Sequence, residues 1–313
     1  MSRTSLILDC DPGVDDAVAL FLAFASPREL DLIGITTVAG NVGIELTTRN
    51  ARLIRQLAGR DDVPVIAGAT RPLVRAPVEA DHFHGQSGLG TLEVFEPDAP
   101  AQDGDAAAFI VEEVMRRPAQ TVTLAVTGPM TNVAEAMALD ARLSGRLARI
   151  VAMGGARSEG GNITPSAEYN IYADPDAAQA VLSSGCQTVM LGLDATHQVR
   201  ASAERVAAIA ALETPAGRAT TDLLGFAQHT ERTFVGGDEP PLHDPCTIAW
   251  LLAPHLFESR PCSIQVETAS SLTLGHTAVE FRLRYPDRAT CQWVTRADGE
   301  GVFALLTERL ARK

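Results

Sequence analysis

Along the first two thirds of the chain, short apolar runs alternate with longer segments in which apolar residues recur at helical spacing. The runs at 5–8, 32–38, 63–67, 122–126, 150–153 and 188–191 predict strands. A segment starting near Asp15 and those at 44–57, 105–116, 130–139 and 175–183 predict helices. Runs such as TVTLAV and RIVAMGG show almost no polar alternation, as expected of strands covered on both faces in a parallel sheet of βαβ units. The expected fold class is α/β: an open, mainly parallel, Rossmann-like sheet with helices on both faces. Past residue 200 the rhythm changes to a mostly helical stretch over 202–228, a loop VGGDEPPLHDP, a short helix over 246–252, and strand-like runs near 263–266, 277–284 and 290–294. No linker of domain-boundary length intervenes, so the chain reads as one domain over 1–313 with a C-terminal elaboration.

Composition narrows the class of ligand. With 313 residues, 46% of them hydrophobic, the chain has enough apolar surface for a large core. No apolar run approaches the roughly 20 residues of a membrane span, and MSRTSLILDC meets carboxylates before a signal-peptide apolar stretch is complete. The expectation is a cytoplasmic protein with no membrane partner. A net charge of -13, with dispersed arginines and Lys313 as the only lysine, argues against nucleic acid and for a neutral or cationic small molecule. Five scattered cysteines without a CxxC pair suggest reduced core residues rather than a disulfide framework or thiolate metal site.

In an open parallel sheet, ligands bind where the loops leave the carboxyl ends of the strands. Four of those loops are unusually polar: DCDPGVDD, AGN, TGPMTN and MGGARSEGGN. Asp15 and Asp16 are each explicable as helix-capping carboxylates. Capping leaves Asp9 and Asp11 unexplained, because four crowded carboxylates raise each other's pKa unless a cation intervenes. An all-oxygen donor set favours calcium or magnesium over zinc. His243–Asp244, before Pro245, allows either an N-cap or a functional pair. Asn162, Glu168 and Asn170, in GNITPSAEYNIYADP, suit recognition of vicinal hydroxyls, although a solvated loop has the same composition.

Taken in order, DCDPGVDDAVAL, VAGN, HGQSGLG, TGPMTN, MGG, GNITPSAEYNIYADPDAA and LHDP resemble the nucleoside hydrolase family, the calcium-dependent inosine-uridine preferring N-ribohydrolases. The resemblance runs from Leu6 to Ala249 and implies hydrolysis of a ribonucleoside to ribose and free base. It implies Ca2+ held by Asp11, Asp16, the Thr127 carbonyl and Asp244, with Asp11 also the general base toward water. It implies a ribose shell of Asp15, Asn41, the main chain near Met153, Asn162, Glu168 and Asn170. His243 matches a leaving-group acid and His84 a histidine on the base side. A homotetramer or homodimer is implied as well. Members acting on pyrimidines or inosine often carry tyrosines in the lid before HDP; here FAQHTERTFVGG has none, leaving Gln228, His229, Arg232 and Phe234 as substitutes.

Two other readings compete. Asp9-Cys10-Asp11, with Val14 after it, resembles the nucleophile loop of haloacid-dehalogenase-like phosphatases. That chemistry needs a cation on the phosphoryl group, and Lys313 is the only lysine to supply it. A non-catalytic nucleoside or sugar binder is the second; the intact set of candidate metal ligands argues against it.

Overall fold

In a computed structural model of the chain, residues 3–78, 80–286 and 289–312 are described, with the side chains of Asp81 and His82 left aside. Lys313, the lysine of the phosphatase reading, lies outside them. The strands are β1 (Thr4–Cys10), β2 (Leu30–Thr37), β3 (Val65–Ala67), β4 (Val122–Val126), β5 (Arg149–Met153), β6 (Thr188–Leu191), β7 (Phe257–Val266), β8 (Thr277–Glu280) and β9 (Cys291–Ala297). They form one nine-stranded sheet in the order β3-β2-β1-β4-β5-β6-β9-β7-β8. Pairing is parallel from β3 through β6 to β9 and antiparallel for β9–β7 and β7–β8. The α/β expectation and the C-terminal elaboration are thus both present.

The pleat of β1 shows how the two faces are filled. Leu6, Leu8 and Cys10 join a core with helices Val14–Phe24, Pro215–Thr230, Pro245–Leu252 and Gly299–Leu310. Ile7 points the other way, into a core with Ala106–Arg116, Thr131–Leu139 and Pro175–Leu182. Side chains two apart on a strand share a face, so Asp9 falls on the Ile7 side, toward Thr131–Leu139.

Strand order decides where a ligand can enter. The chain leaves β1 toward β2 on one side and later returns to β4 on the other, making β1/β4 the topological switch point. Asp11 lies just beyond β1 and Thr127 just beyond β4, on opposite lips of that crevice. Thr127 N–H donates to Asp9 O at 2.9 Å, continuing the ladder to its edge.

Several boundaries differ from expectation for local reasons. The 202–228 stretch is two helices, Ala203–Ala210 and Pro215–Thr230. Pro215 has no N–H and starts the second, with the Thr214 hydroxyl accepting from Gly217 N. β8 stops at Glu280 rather than running to 284, because the Glu280 carboxylate takes the Arg282 N–H and guanidinium in a local turn. β7 begins six residues before its apolar run, at Phe257, and the helix Gly299–Leu310 was not anticipated. All five cysteines are free and buried, as expected.

Trp293 on β9 is fully buried where the parallel sheet meets its antiparallel extension. Trp293→Ala is expected to lower unfolding free energy by about 3–5 kcal/mol, the usual cost of a large buried truncation. Urea denaturation followed by circular dichroism measures this; a loss below about 1 kcal/mol means the site collapses around the cavity.

Candidate active site

β1 ends by delivering carboxylates in quick succession, and each has a distinct place. Asp9 pairs in register with Thr36 of β2. Its Oδ1 accepts from Thr36 Oγ1 at 2.6 Å and from Asn132 Nδ2 at 2.7 Å. Asn132 also donates to Thr37 O at 3.0 Å and accepts from Ala69 N at 2.8 Å, so it ties the ends of β1 and β2 to the loop after β3. Asp9 is a brace, and it is too enclosed to act as a phosphatase nucleophile.

Asp11 sits in a slot made of backbone. Its Oδ2 accepts from Asn41 N at 2.7 Å, while its Oδ1 is buried with no hydrogen-bond partner among the described residues. A Cβ at Gly40 would come within 2.1 Å of Oδ2, and one at Gly128 within 2.5 Å of Oδ1. Both positions therefore require glycine for close approach. Asp16 accepts from Gly13 N at 3.0 Å, from Asn41 Nδ2 at 3.1 Å and from Thr127 Oγ1 at 2.7 Å. Capping is thus one part of the Asp16 role and no part of the Asp244 role: Asp244 makes no side-chain cap bond to the helix it precedes.

One carboxylate oxygen each from Asp15, Asp16 and Asp244 lies within 4.8 Å of the others. Asp11 stands outside that trio but inside its field, since Asp16 and Asp15 both act on it electrostatically. Burial, followed by these neighbours, raises Asp11 and Asp244 well above the ordinary carboxylate range. Burial pushes both Asp9 and Asp16 up to about 7. The orphaned Asp11 Oδ1, the converging oxygens and an all-oxygen donor set fit a hard divalent cation.

The sugar-side candidates gather across the crevice. Asn170 Nδ2 donates to Thr127 O at 2.7 Å and lies 3.4 Å from Met153 O, linking the ends of β4 and β5. Glu168 is buried, with Oε1 on Asn170 N at 2.9 Å and Oε2 on Gly155 N at 2.9 Å and Ile171 N at 3.2 Å. Burial raises its pKa while those amides oppose the shift. Asn41 is buried beside the carboxylate loop, its Nδ2 donating to Asp11 O and Asp16 Oδ2. Asn162 is exposed, and its Oδ1 accepts from Tyr169 N at 2.9 Å, between Glu168 and Asn170.

Of the base-side candidates, His84 accepts at Nδ1 from Val14 N at 3.1 Å, so that nitrogen serves the helix start. His243 Nδ1 lies 2.8 Å from Thr196 Oγ1. Burial pushes its pKa down to about 4, with Asp15 opposing, so it is neutral at physiological pH rather than titrating there. Of the lid substitutes, Gln228 donates to Ala201 O and Arg232 pairs with Asp238. Phe234, in a π-helical turn over Glu231–Val235, meets Phe83 with ring centroids 5.5 Å apart. Thr36, Asn132 and Thr196 were not singled out from sequence. Asn132 stands within TGPMTN, whereas nothing local marks Thr196.

Residues 6–304 match the family model described as Inosine-uridine preferring nucleoside hydrolase. The chain belongs to this family. Nucleoside hydrolases split the N-glycosidic bond of ribonucleosides with water, and neither rival activity is needed to explain the site. Pyrimidine-specific ribonucleoside hydrolase RihA from Shewanella sp. (strain ANA-3) is 43% identical over 99% of this nucleoside hydrolase and 97% of that protein. A purine-preferring ribonucleoside hydrolase from Gardnerella vaginalis superposes with a TM-score of 0.92 at 32% identity, covering 98% of each chain. A plant nucleoside hydrolase gives the same TM-score at 30% identity over the whole of both chains. No helix among the described residues is long and apolar enough to cross a membrane.

Protons and a cation compete for this nucleoside hydrolase. Asp9 and Asp16 have folded pKa values of about 7 against an ordinary 3.8, so the metal-free fold holds protons that the unfolded chain releases. That stability is present at low pH and is lost as pH rises through about 7. The melting temperature of chelator-treated protein is therefore expected to fall between about pH 5 and about pH 8, while the gain from added divalent cation grows. Calorimetric scans across that range test it; the opposite trend would show that these carboxylates are ionised and compensated without metal.

Proposed function

We propose that the chain is a calcium-dependent hydrolase of pyrimidine ribonucleosides, working in the cytoplasm as a homotetramer or homodimer. The observation that carries the chemistry is the unpartnered Asp11 Oδ1, buried beside three converging carboxylates at the β1/β4 switch point. Support for pyrimidines comes from the relatives near 43% identity that carry that specificity in their names, RihA of Shewanella sp. (strain ANA-3) among them.

Asp11, Asp16 and Asp244, with the Thr127 carbonyl, would hold the ion, and Asp15 lies beside Asp16 and Asp244. When bound, Ca2+ lowers the pKa of a coordinated water and clamps vicinal hydroxyls. Asp11 takes the proton of the attacking water as general base, its Oδ1 buried without a hydrogen-bond partner among the described residues. Asp15, Asn41, Asn162, Glu168, Asn170 and the main chain at Met153 orient the ribose. Their carboxylates and amide dipoles favour the positive charge of an oxocarbenium-like sugar. His84 borders the base. His243, held neutral, aids its departure by donating a hydrogen bond instead of acting as a preformed imidazolium.

Incubation with uridine, cytidine, inosine and adenosine should release ribose fastest from the pyrimidines, and a chelator should abolish the reaction until Ca2+ is restored. Asp11→Asn should lower kcat by roughly 100-fold or more. A folded, calcium-loaded protein silent toward every ribonucleoside would overturn the assignment, and inosine outpacing uridine would overturn the base preference. Light scattering reads the oligomeric state.

His243→Ala should slow ribonucleosides by roughly 100-fold, yet leave p-nitrophenyl riboside, whose leaving group needs no help, within about 3-fold. Equal losses on the two substrates would remove His243 from the leaving-group step.

A further inference from the structure

We propose that Thr196 is a positioning residue for base departure: its hydroxyl fixes the His243 ring so that Nε2–H is the hydrogen presented to the leaving base. The inference rests on the leaving-group role of His243 given above and assigns what enforces it.

Thr196 ends the short helix Leu193–Thr196 that follows β6, and it is fully buried. Its Oγ1 lies 2.8 Å from His243 Nδ1, and no other hydrogen bond of that hydroxyl occurs among the described residues. A buried hydroxyl hydrogen without an acceptor is costly, so the hydrogen points at Nδ1 and that nitrogen accepts. An imidazole that accepts at Nδ1 carries its hydrogen on Nε2. Turning the ring over would break this bond, so a single contact selects both the tautomer and the face.

His197, the next residue, seats the ring from the side. Its centroid is 5.8 Å from that of His243, with the planes inclined by 55°. His197 Nδ1 pairs with Glu159 at 3.0 Å, and its carbonyl accepts from Arg200 Nε at 2.8 Å. Arg200 also reaches Glu231 at 3.4 Å, at the start of the lid turn. Two consecutive residues thus constrain the ring, Thr196 through an edge nitrogen and His197 through ring contact. Asp15 and His84 both act electrostatically on the same imidazole, which places it at the crevice.

The test uses the full-length, calcium-loaded protein, the ribonucleoside it turns over fastest, and p-nitrophenyl riboside. Thr196→Val, which keeps the shape and removes the hydroxyl, should lower kcat on the ribonucleoside roughly 5- to 100-fold with KM changed less than about 3-fold. Turnover of p-nitrophenyl riboside should stay within about 2-fold, and Thr196→Ser should recover most of the lost rate. Thr196→Ala substitutes if the valine variant does not fold. Equal losses on both substrates, an unchanged kcat, or no recovery by serine, in a protein whose His243→Ala variant discriminates between them, would overturn the role of Thr196 alone. If His243→Ala does not discriminate, the leaving-group reading falls and this inference falls with it.

Discussion

Like charge held out of water governs this molecule. Asp11, Asp16 and Asp244 are buried, and Asp15 stands partly exposed beside them. Two carboxylates about 5 Å apart repel by roughly 3 kcal/mol at an effective dielectric near 20. A few such pairs rival the whole stability of an ordinary domain, about 5–15 kcal/mol. The chain answers with donors that carry no charge: Asn41 supplies its N–H and its amide, Thr127 its hydroxyl, Gly13 its N–H. These satisfy lone pairs without neutralising anything, which keeps the site receptive to a cation.

The fold makes that concentration of charge possible by bringing distant segments to one crevice. β1 and β4 contribute its two lips and the helix start at Pro245 contributes Asp244. The antiparallel extension also reaches the site, because the Thr277 hydroxyl of β8 accepts from Ala156 N at 2.9 Å and donates to Ala156 O at 2.7 Å. Ala156 follows Gly155, whose N–H holds Glu168. The C-terminal elaboration is thus tied to the loop that holds Glu168.

What was legible in the sequence follows from range. Strands buried on both faces are apolar throughout, so β1, β4, β5 and β6 declared themselves, and aspartates crowded at a strand end announced a cluster able to hold a metal. Roles set by tertiary neighbours did not show. Asp9 is a brace only because register places it beside Thr36 and Asn132 reaches across from the helix Thr131–Leu139. His243 resembled a leaving-group acid in its motif, but the Thr196 hydroxyl that meets its ring stands on a short helix about fifty residues upstream. The extent of β8 was overestimated because a local turn at Glu280 outcompeted the ladder.

The slot around Asp11 carries a consequence for how such an enzyme diversifies. Its walls at Gly40 and Gly128 are main chain, with no side chain to enlarge, shrink or recharge. Point mutation has almost no purchase there, because even the smallest addition collides with the carboxylate. The exposed π-helical turn bearing Phe234 is the opposite case, its side chains standing in solvent rather than in a slot of main chain.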